Sequence, residues 1–365
     1  MGPAHPDMNQ ADAALVISPW LEGWFLPALF AAAGMPCDLV SASPMFRHSR
    51  CLRRLDLVRS AAELAPQALQ RWRQHGPYAW VIACSDALLG ELGQRALLDP
   101  AYRCLLPLTP QAGTAHLHAK IGLSRAFTAA GIPTPAWRVA RDPAGALQQA
   151  TALGWPLLLK QDASSGGRGL SLCRNPEELA QAAVAQAGRP FLLQHWQAGR
   201  IYSVEALYRQ GTLQAFALSE MLAGEGRFGP STHRCYGLPV DQIPELDFHL
   251  ERIGSALGLH GFANISLLHA GGAEPAQFIE CDVRPNVWIH LDRALGGDFA
   301  RALQVCHAPS PDPSAWSRSC YRQLSRQIVA PFAGTTDAGW PYPPPDDAPA
   351  FLDALRNSGQ LMRLP

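Results

Sequence analysis

The sequence predicts an α/β protein in which a small doubly wound parallel α/β domain precedes a larger α+β domain. Two observations lead to this prediction. The first hundred residues alternate short apolar runs with a helical pattern, whereas the middle of the chain has strand patterns joined by glycine-rich turns. At 365 residues, the chain has the length of two to three domains and can bury a large core without metals or disulfides.

The first domain begins with a β-α-β pattern and has a further buried strand behind it. Its predicted elements are a strand over 13–18, a helix over 21–33, a strand over 37–42 and a strand over 78–84. Ser85 and Asp86 follow the last strand and can cap a helix that continues to Leu92. Asp86 also stands at the carboxyl end of a strand, where open α/β sheets bind ligands, but capping is the commoner role of aspartate there.

The second domain starts after a boundary marked by Pro107, Pro110 and Gly113. Its predicted helices cover 116–130, 144–153, 176–187 and 244–257, and its predicted strands cover 136–140, 157–161, 170–173, 191–195, 202–208, 213–218, 263–269 and 277–282. Residues 221–237 contain four glycines and are predicted to form a mobile loop. From Pro309 onward, proline-rich stretches around weak helical patterns indicate an appendage.

Composition excludes several classes of function. The 30 basic and 30 acidic residues give a net charge of zero, so a general electrostatic attachment to nucleic acid or to an acidic membrane is not expected. The nine cysteines are scattered singly and without a C-x-x-C pair, which is typical of reduced thiols. The N-terminal stretch has the features of neither a signal peptide nor a membrane helix, and a cytoplasmic location is therefore predicted.

Lysine is rare in this chain. Only Lys120 and Lys160 are present among the 30 basic residues, so the other 28 are arginines. A bias in nucleotide composition is the simplest source of such a skew. A lysine that is retained against this bias indicates a position where guanidinium does not replace ammonium.

Lys160 ends an apolar strand and is followed by Gln-Asp-Ala-Ser-Ser-Gly-Gly-Arg-Gly. Small residues let backbone N–H groups approach anionic oxygens, and the lysine adds a compact positive charge, so the segment suits a flap over a polyphosphate. Taken alone, the turn fits an ordinary glycine hairpin equally well. It is not a Walker A loop, and no G-x-G-x-x-G opens the first β-α unit.

A second polar pattern ends the strand over 277–282. Glu280, Asp282 and Arg284 recur at a period of two and therefore share one face, while Cys281 points to the opposite face as a core thiol. Two carboxylates beside an arginine suit a divalent metal and a phosphoryl group. An exposed strand face with a salt bridge is the alternative explanation.

Together the two segments resemble the ATP-grasp family over about residues 117–303. Lys120 precedes the turn Ala-Gly-Ile-Pro-Thr-Pro, as the first ATP lysine of that family does, and Lys160 precedes the glycine-rich flap, as the second does. The resemblance implies an α+β ATP-grasp core preceded by the small doubly wound parallel α/β domain. It divides the chain into a Rossmann-like domain over 1–112, an ATP-grasp domain over 113–305 with a lid subdomain over about 135–198, and a proline-rich extension over 306–365.

The resemblance also assigns site residues. Catalytic roles fall to Arg284 and Lys160, and metal binding falls to Glu280 and Asp282. The residues implied in nucleotide binding are Lys120, Lys160, Ser165, Gly166, Gly167, Arg168, Gly169, Gln194 and Trp196. Three positions depart from the family pattern: Ile201 replaces a ribose-binding glutamate, Asp282 replaces an asparagine, and Ser266 replaces a third metal ligand, for which Asn264 or the extra charge of Asp282 would compensate.

The function implied by the resemblance is ATP-dependent ligation of a carboxylate to an amine, or less often a thiol, through an acyl phosphate. The implied cofactors are ATP and Mg²⁺ or Mn²⁺, and the implied substrates are small carboxylates, such as amino acids, and amines. A homodimer is compatible with the family. Three alternatives stay open: phosphoryl transfer without ligation, a nucleotide-binding protein with a degenerate metal site, and, from the β-α-β start alone, a dinucleotide-dependent oxidoreductase, against which the missing glycine fingerprint counts.

Overall fold

Three β-sheets follow one another along the chain, and the computed structural model describes residues 12–186, 188–291, 298–307 and 327–329. The first sheet is parallel, and the other two are antiparallel. This arrangement confirms the predicted α/β class. Within the described residues, none of the helices is both long and apolar enough to cross a membrane.

The parallel sheet has four strands in the order β3-β2-β1-β4. Its elements are β1 (Ala14–Ser18), α1 (Leu26–Ala32), β2 (Cys37–Ser41), β3 (Arg54–Leu57), α2 (Leu64–His75), β4 (Trp80–Ala83) and α3 (Asp86–Leu98). Strands β1, β2 and β4 are buried throughout, as expected of apolar strands covered on both faces. The sequence analysis missed β3 and α2, because both have mixed polar sequences. The predicted helix over 21–33 is shorter than expected, because residues 20–25 form turns before α1 begins.

The second sheet, hereafter the lid sheet, has the strand order β5-β8-β6-β7. The elements of this region are α4 (Lys120–Ala129), β5 (Trp137–Ala140), α5 (Pro143–Leu153), β6 (Leu157–Gln161), β7 (Leu170–Cys173), α6 (Pro176–Val184) and β8 (Phe191–His195). The predicted bounds of β6, β7 and β8 are confirmed. The predicted end of α6 at residue 187 lies outside the described residues. The predicted start of α4 at residue 116 is wrong, because His118 has a φ of 52° that an α-helix cannot contain.

The third sheet, hereafter the floor sheet, has six strands in the order β13-β12-β9-β10-β11-β14. Its elements and the helices that accompany them are β9 (Arg200–Arg209), β10 (Thr212–Gly224), β11 (Ser231–Tyr236), α7 (Leu246–Leu257), β12 (Gly261–His269), β13 (Gln277–Asp282), α8 (Phe299–Cys306) and β14 (Gln327–Val329). The prediction of a mobile loop over 221–237 is wrong, because most of that segment belongs to the β10–β11 hairpin. Three of its glycines lie in or beside the turn, and Gly237 follows β11.

The parallel sheet and the floor sheet are joined through shared cores. One cluster of buried side chains includes Leu15 and Ile17 of β1 together with Val204 of β9 and Phe278 of β13. The lid sheet has a separate cluster that it forms with α5 and α6. The lid therefore packs as a unit of its own, which leaves space between it and the floor sheet.

Most of the predicted C-terminal extension lies outside the described residues. Residues 327–329 are described, and they form β14, which pairs antiparallel with β11 at the edge of the floor sheet. The division of the chain at residues 112 and 305 stays a prediction.

Candidate active site

A cavity of about 440 Å³ lies between the lid sheet, the floor sheet and the carboxyl end of β4. Its lining contains the predicted site residues Lys120, Lys160, Ser165, Gly166, Gly167, Gln194, Trp196, Glu280, Asp282 and Arg284. Arg168 and Gly169 are not in that lining. The Arg168 side chain is exposed, and its Nε donates a hydrogen bond to the Ser165 carbonyl at 3.4 Å, whereas the Gly169 carbonyl accepts one from the Gln161 amide at 2.8 Å.

Lys120 is tied to the flap, which comprises residues 164–169. Its Nζ donates to the Ser164 carbonyl at 2.5 Å. At the start of α4, the Ile121 amide donates to Oδ1 of Asp162 at 2.8 Å, so Asp162 satisfies a helix N–H that has no partner inside the helix. Sequence reasoning missed Asp162, although it lies between Lys160 and the flap. The Asp162 carboxylate therefore fixes the start of α4, and with it Lys120, relative to the flap that follows Lys160.

Lys160 is 5% exposed and faces the cavity from β6. The pKa of its ammonium is lowered to about 8, chiefly by burial, which Glu280 partly opposes and to which Lys120 adds. Its Nζ donates a hydrogen bond to none of the residues that the structure describes. A buried ammonium without a donor contact is stabilised by an anion, and polyphosphate is an anion of suitable charge.

The flap contacts the turn of the β10–β11 hairpin, residues 225–230, hereafter the cover turn. Gly167 has a φ of +74°, and a Cβ at this residue would lie 2.2 Å from the carbonyl oxygen of Phe228. The Phe228 ring meets the Trp196 ring edge-on at 6.2 Å, and the Arg227 guanidinium lies 5.2 Å from the centre of the Trp196 ring. Flap, cover turn and the residue after β8 therefore close one side of the cavity together.

Replacing Gly167 by alanine is expected to separate the flap from the cover turn, because neither the backbone conformation nor the contact accommodates a Cβ. We expect the KM for ATP to rise about tenfold, which corresponds to about 1.4 kcal/mol. Gly166→Ala is the matched control, since Gly166 has a similar φ of +62° but nothing within 4 Å of its Cβ position. Steady-state kinetics of both variants check this, and equal KM values would contradict the role of the contact.

Arg284 links the end of β13 to Asp86, which follows β4 of the parallel sheet. Its Nε and Nη2 donate to both carboxylate oxygens of Asp86 at 2.6 and 2.8 Å, and Nη2 also donates to Asp282 at 2.9 Å. Burial alone would lower the pKa of Arg284, but Asp282 and Asp86 outweigh it and raise that pKa. Burial also raises the pKa of Asp282, which Arg284 partly opposes. Asp86, Arg284 and Asp282 thus form a hydrogen-bonded group in which negative and positive charges alternate.

The predicted capping role of Asp86 is taken by its neighbour. Ser85 is the N-cap of α3, and its side chain accepts from the Leu88 amide at 3.2 Å. Asp86 instead directs its carboxylate to Arg284 and lines the cavity. This agrees with the alternative role that the sequence indicated for Asp86 from its place at the carboxyl end of a strand.

Glu280 and Asp282 are suited to Mg²⁺ only in part. Opposite them on β12 stand Ser266, in register with Glu280, and Asn264, in register with Asp282. Within the described residues, no group of three or more His, Cys, Asp or Glu side chains is placed to hold a metal. Two carboxylates with hard oxygens nevertheless fit Mg²⁺, because this ion usually takes one or two carboxylates and completes its shell with phosphate oxygens and water.

A further polar cluster on the floor sheet was not predicted as a unit. It contains Ser203, Glu205, Ser219, Ser231, Arg234, Asn264 and Asn286. Its members come from four strands, β9 to β12, and a loop, so no single sequence spacing relates them all. His233 and Arg234 are adjacent on β11, and the structure separates their side chains, with His233 exposed and Arg234 buried.

Comparison with known proteins identifies several related chains. Residues 120–191 match the family described as carbamoyl-phosphate synthase L chain, ATP binding domain. The D-alanine–D-alanine ligase of Verminephrobacter eiseniae is 26% identical over 196 residues, which are 50% of this chain and 58% of that protein. The chain therefore spans less than two thirds of that relative.

Two solved structures resemble the fold over most of the chain. The biotin carboxylase domain of 2-oxoglutarate carboxylase from Hydrogenobacter thermophilus, solved with MgADP and bicarbonate, has a TM-score of 0.66 at 17% identity and covers 87% of this chain and 73% of its own. The L-amino acid ligase of Bacillus licheniformis has a TM-score of 0.58 at 16% identity, with coverage of 81% and 75%. At such identities the likeness shows the fold, and activity has to be argued from the site.

Proposed function

We propose, from the chain's membership of the ATP-grasp superfamily, that it is an ATP-dependent ligase that joins a carboxylate to an amine through an acyl phosphate. One observation carries the proposal above all others: a single cavity collects both lysines of the chain, two carboxylates of β13 and Arg284. These residues belong to distant segments. In a chain with 28 arginines, chance placement of the two lysines at one cavity is a poor explanation.

Each of these residues has a physical reason to take part. Lys120 and Lys160 would neutralise the charge of the triphosphate from the lid side. Glu280 and Asp282 would hold Mg²⁺ or Mn²⁺, which when bound neutralises the phosphate oxygens. Arg284 would stabilise negative charge that develops where the phosphoryl group moves.

The proposed reaction has two steps. A carboxylate oxygen of the acid bonds to the γ-phosphorus as the bond to ADP breaks, which gives an acyl phosphate and ADP. The amine then bonds to the acyl carbon, inorganic phosphate leaves, and the amine releases a proton. The flap and the cover turn would keep water away from the acyl phosphate, which otherwise hydrolyses.

An amino acid is the acid we propose. Two of the similar proteins are, by name, ligases of D-alanine and of L-amino acids. The other partner is an amine, or less often a thiol. The same proposal includes assembly as a homodimer and a division of the chain into domains over 1–112, 113–305 and 306–365. In the proposed complex with ATP, Gln194 and Trp196 lie beside the base, and residues 165–169 lie over the phosphates.

The test is ADP release from Mg²⁺-ATP by the purified full-length protein, with pooled amino acids and small carboxylates and with amine acceptors. We expect release that depends on a pool, and a loss of at least 100-fold in Lys160→Ala, since a transition-state contact of this kind contributes about 3 kcal/mol. Binding of ATP without release from any pool would favour a nucleotide-binding protein with a degenerate metal site, for which Ser266 is the structural argument. ADP release with a phosphorylated acid but no joined product would favour phosphoryl transfer alone.

A further inference from the structure

We propose that Arg234 forms an oxyanion site on the floor of the cavity that binds the carboxylate of the acid substrate, and that Glu205 positions it. The proposal rests on the proposed ligase function, because it assigns the acid to one place in the same cavity. Neither residue was assigned a role in that function above. Both are almost fully buried, at 3% and 1% exposure, and Arg234 nevertheless lines the cavity.

The contacts of Arg234 leave it one nitrogen for a ligand. Nε donates to the Ser231 hydroxyl at 2.7 Å, while Nη1 is paired with Glu205 and donates to the Ser219 hydroxyl at 3.4 Å. Nη2 is not paired with a carboxylate among the described residues, and the nearby Tyr236 hydroxyl interacts with the guanidinium without completing a hydrogen bond to it. A guanidinium has five N–H donors, so two of them stay available to an oxyanion in the cavity.

The orientation of the guanidinium is fixed from a second side. Its carbon lies 4.6 Å from the centre of the Trp288 ring, in a cation–π contact with a side chain that is itself buried. The ion pair with Glu205 and the contact with the Trp288 ring together restrict rotation of the Arg234 side chain. A donor held in this way loses little entropy when it binds an anion.

Strand register places this arginine near the reacting groups. Glu205, Asn264 and Asp282 stand opposite one another on β9, β12 and β13. Two strand spacings separate Glu205 from Asp282, which is about 10 Å. The carboxylate bound by Arg234 is itself the group that reacts, and this separation leaves room for the phosphoryl group between Arg234 and Asp282.

The other cations of the cavity have different surroundings. Lys120 and Lys160 approach from α4 and β6, on the lid side. Arg227 lies on the cover turn, where its side chain is exposed and its guanidinium contacts the Trp196 ring. Arg284 already donates to Asp86 and Asp282 through Nε and Nη2. Arg234 is thus the cavity arginine on the floor sheet that has a donor to spare, and its planar group suits a carboxylate.

A purely structural role explains the buried pair less well. Burying two charges costs more free energy than their attraction returns unless the remaining lone pairs are satisfied. Oε2 of Glu205 is buried and has no hydrogen-bond partner within the described residues. The Arg234–Glu205 pair is therefore not arranged to maximise the stability of the fold. A buried anion site, by contrast, requires a carboxylate that neutralises the charge of the arginine while no anion is bound.

The experiment measures the binding of two simple anions, acetate and inorganic phosphate, to the full-length protein saturated with MgADP. Tryptophan fluorescence is the readout, and Trp288→Phe identifies the contribution of Trp288 among the ten tryptophans. The variants are Arg234→Lys, which keeps a cation beside Glu205, and the double variant Arg234→Gln with Glu205→Gln, which removes both charges together. Arg138→Gln, an exposed arginine outside the cavity, is the matched control.

We expect saturable acetate binding whose affinity falls about 10-fold or more in both variants, with MgADP affinity within about twofold, because charge-assisted hydrogen bonds contribute about 1.5–3 kcal/mol. The fluorescence change should disappear in Trp288→Phe. Unchanged acetate affinity in Arg234→Lys overturns the proposal, as does the absence of saturable acetate binding to the wild type. Weakened phosphate binding with unchanged acetate binding overturns the assignment to the acid. If the double variant does not fold, Arg234→Lys decides alone.

The two proposals fail in different ways. If acetate binding depends on Arg234 but no pool gives ADP release, the ligase function is rejected and the oxyanion site is retained. Ligation that is unaffected by Arg234→Lys would leave the ligase function and remove the site.

Discussion

Replacing Lys160 by arginine is expected to reduce kcat/KM for ATP by about 100-fold or more while the positive charge is retained, which corresponds to about 2.7 kcal/mol. Lys160 is 5% exposed at the end of β6, with Lys120 and Glu280 near its ammonium. A guanidinium there is larger and planar, and it introduces five N–H donors into a space that holds a compact ammonium. The position of the charge relative to the phosphates should therefore change even though its sign does not.

The measurement is steady-state kinetics of ADP release, together with calorimetric titration of MgADP. Arg138→Lys is the matched control, because it makes the reverse exchange on an exposed part of the lid sheet and should leave kcat/KM within about twofold. A kcat/KM for Lys160→Arg within threefold of the wild type would contradict the explanation of why this chain keeps a lysine here. In that case the presence of lysine at these two positions would reflect nucleotide composition and not a requirement of the site.

The lid sheet was predictable from sequence, whereas parts of the floor sheet were not. β6 and β8 are apolar runs that each begin directly after a proline, and β7 lies between Gly169 and the helix cap Asn175, so local chemistry marks where these strands lie. The segment 221–237 has glycines at intervals and suggests a loop, but its strands pair with each other in the β10–β11 hairpin, which extends from the part of β10 that is paired with β9 over 212–220. Pairing between strands is a tertiary effect that local propensity does not report.

The same distinction applies to the candidate site. Lys160 and the flap are adjacent in sequence, and Glu280 and Asp282 share one strand, so their spacing was informative. Asp86 meets Arg284 across 198 residues, and Arg234 meets Glu205 across 29 residues and an intervening strand. Partners of this kind are set by how the sheets pack, and one sequence without its fold does not relate them.

Replacing Arg284 by lysine is expected to lower kcat by about 100-fold to 1,000-fold, in the range seen when a donor to developing charge is removed. The affinity for MgADP should stay within about threefold, because the lysines on the lid side are unchanged. Lysine keeps the charge but loses the paired hydrogen bonds to Asp86. The measurements are kcat from ADP release and the dissociation constant of MgADP.

A structural role for Arg284 makes a different set of predictions, because the arginine also joins the first domain to the floor sheet through Asp86. If that contact were its whole role, Asp86→Asn would lower kcat as much as Arg284→Lys does. We expect instead that both substitutions lower the free energy of unfolding, by about 1–3 kcal/mol each, and that only Arg284→Lys lowers kcat by 100-fold or more. A double-mutant cycle on urea unfolding would measure the structural coupling between the two residues, and kcat in the same four proteins would separate it from the chemical step. Equal losses of kcat in the two single variants would assign Arg284 to positioning, through Asp86, and would leave the stabilisation of the transferring phosphoryl group to Lys160 and the metal.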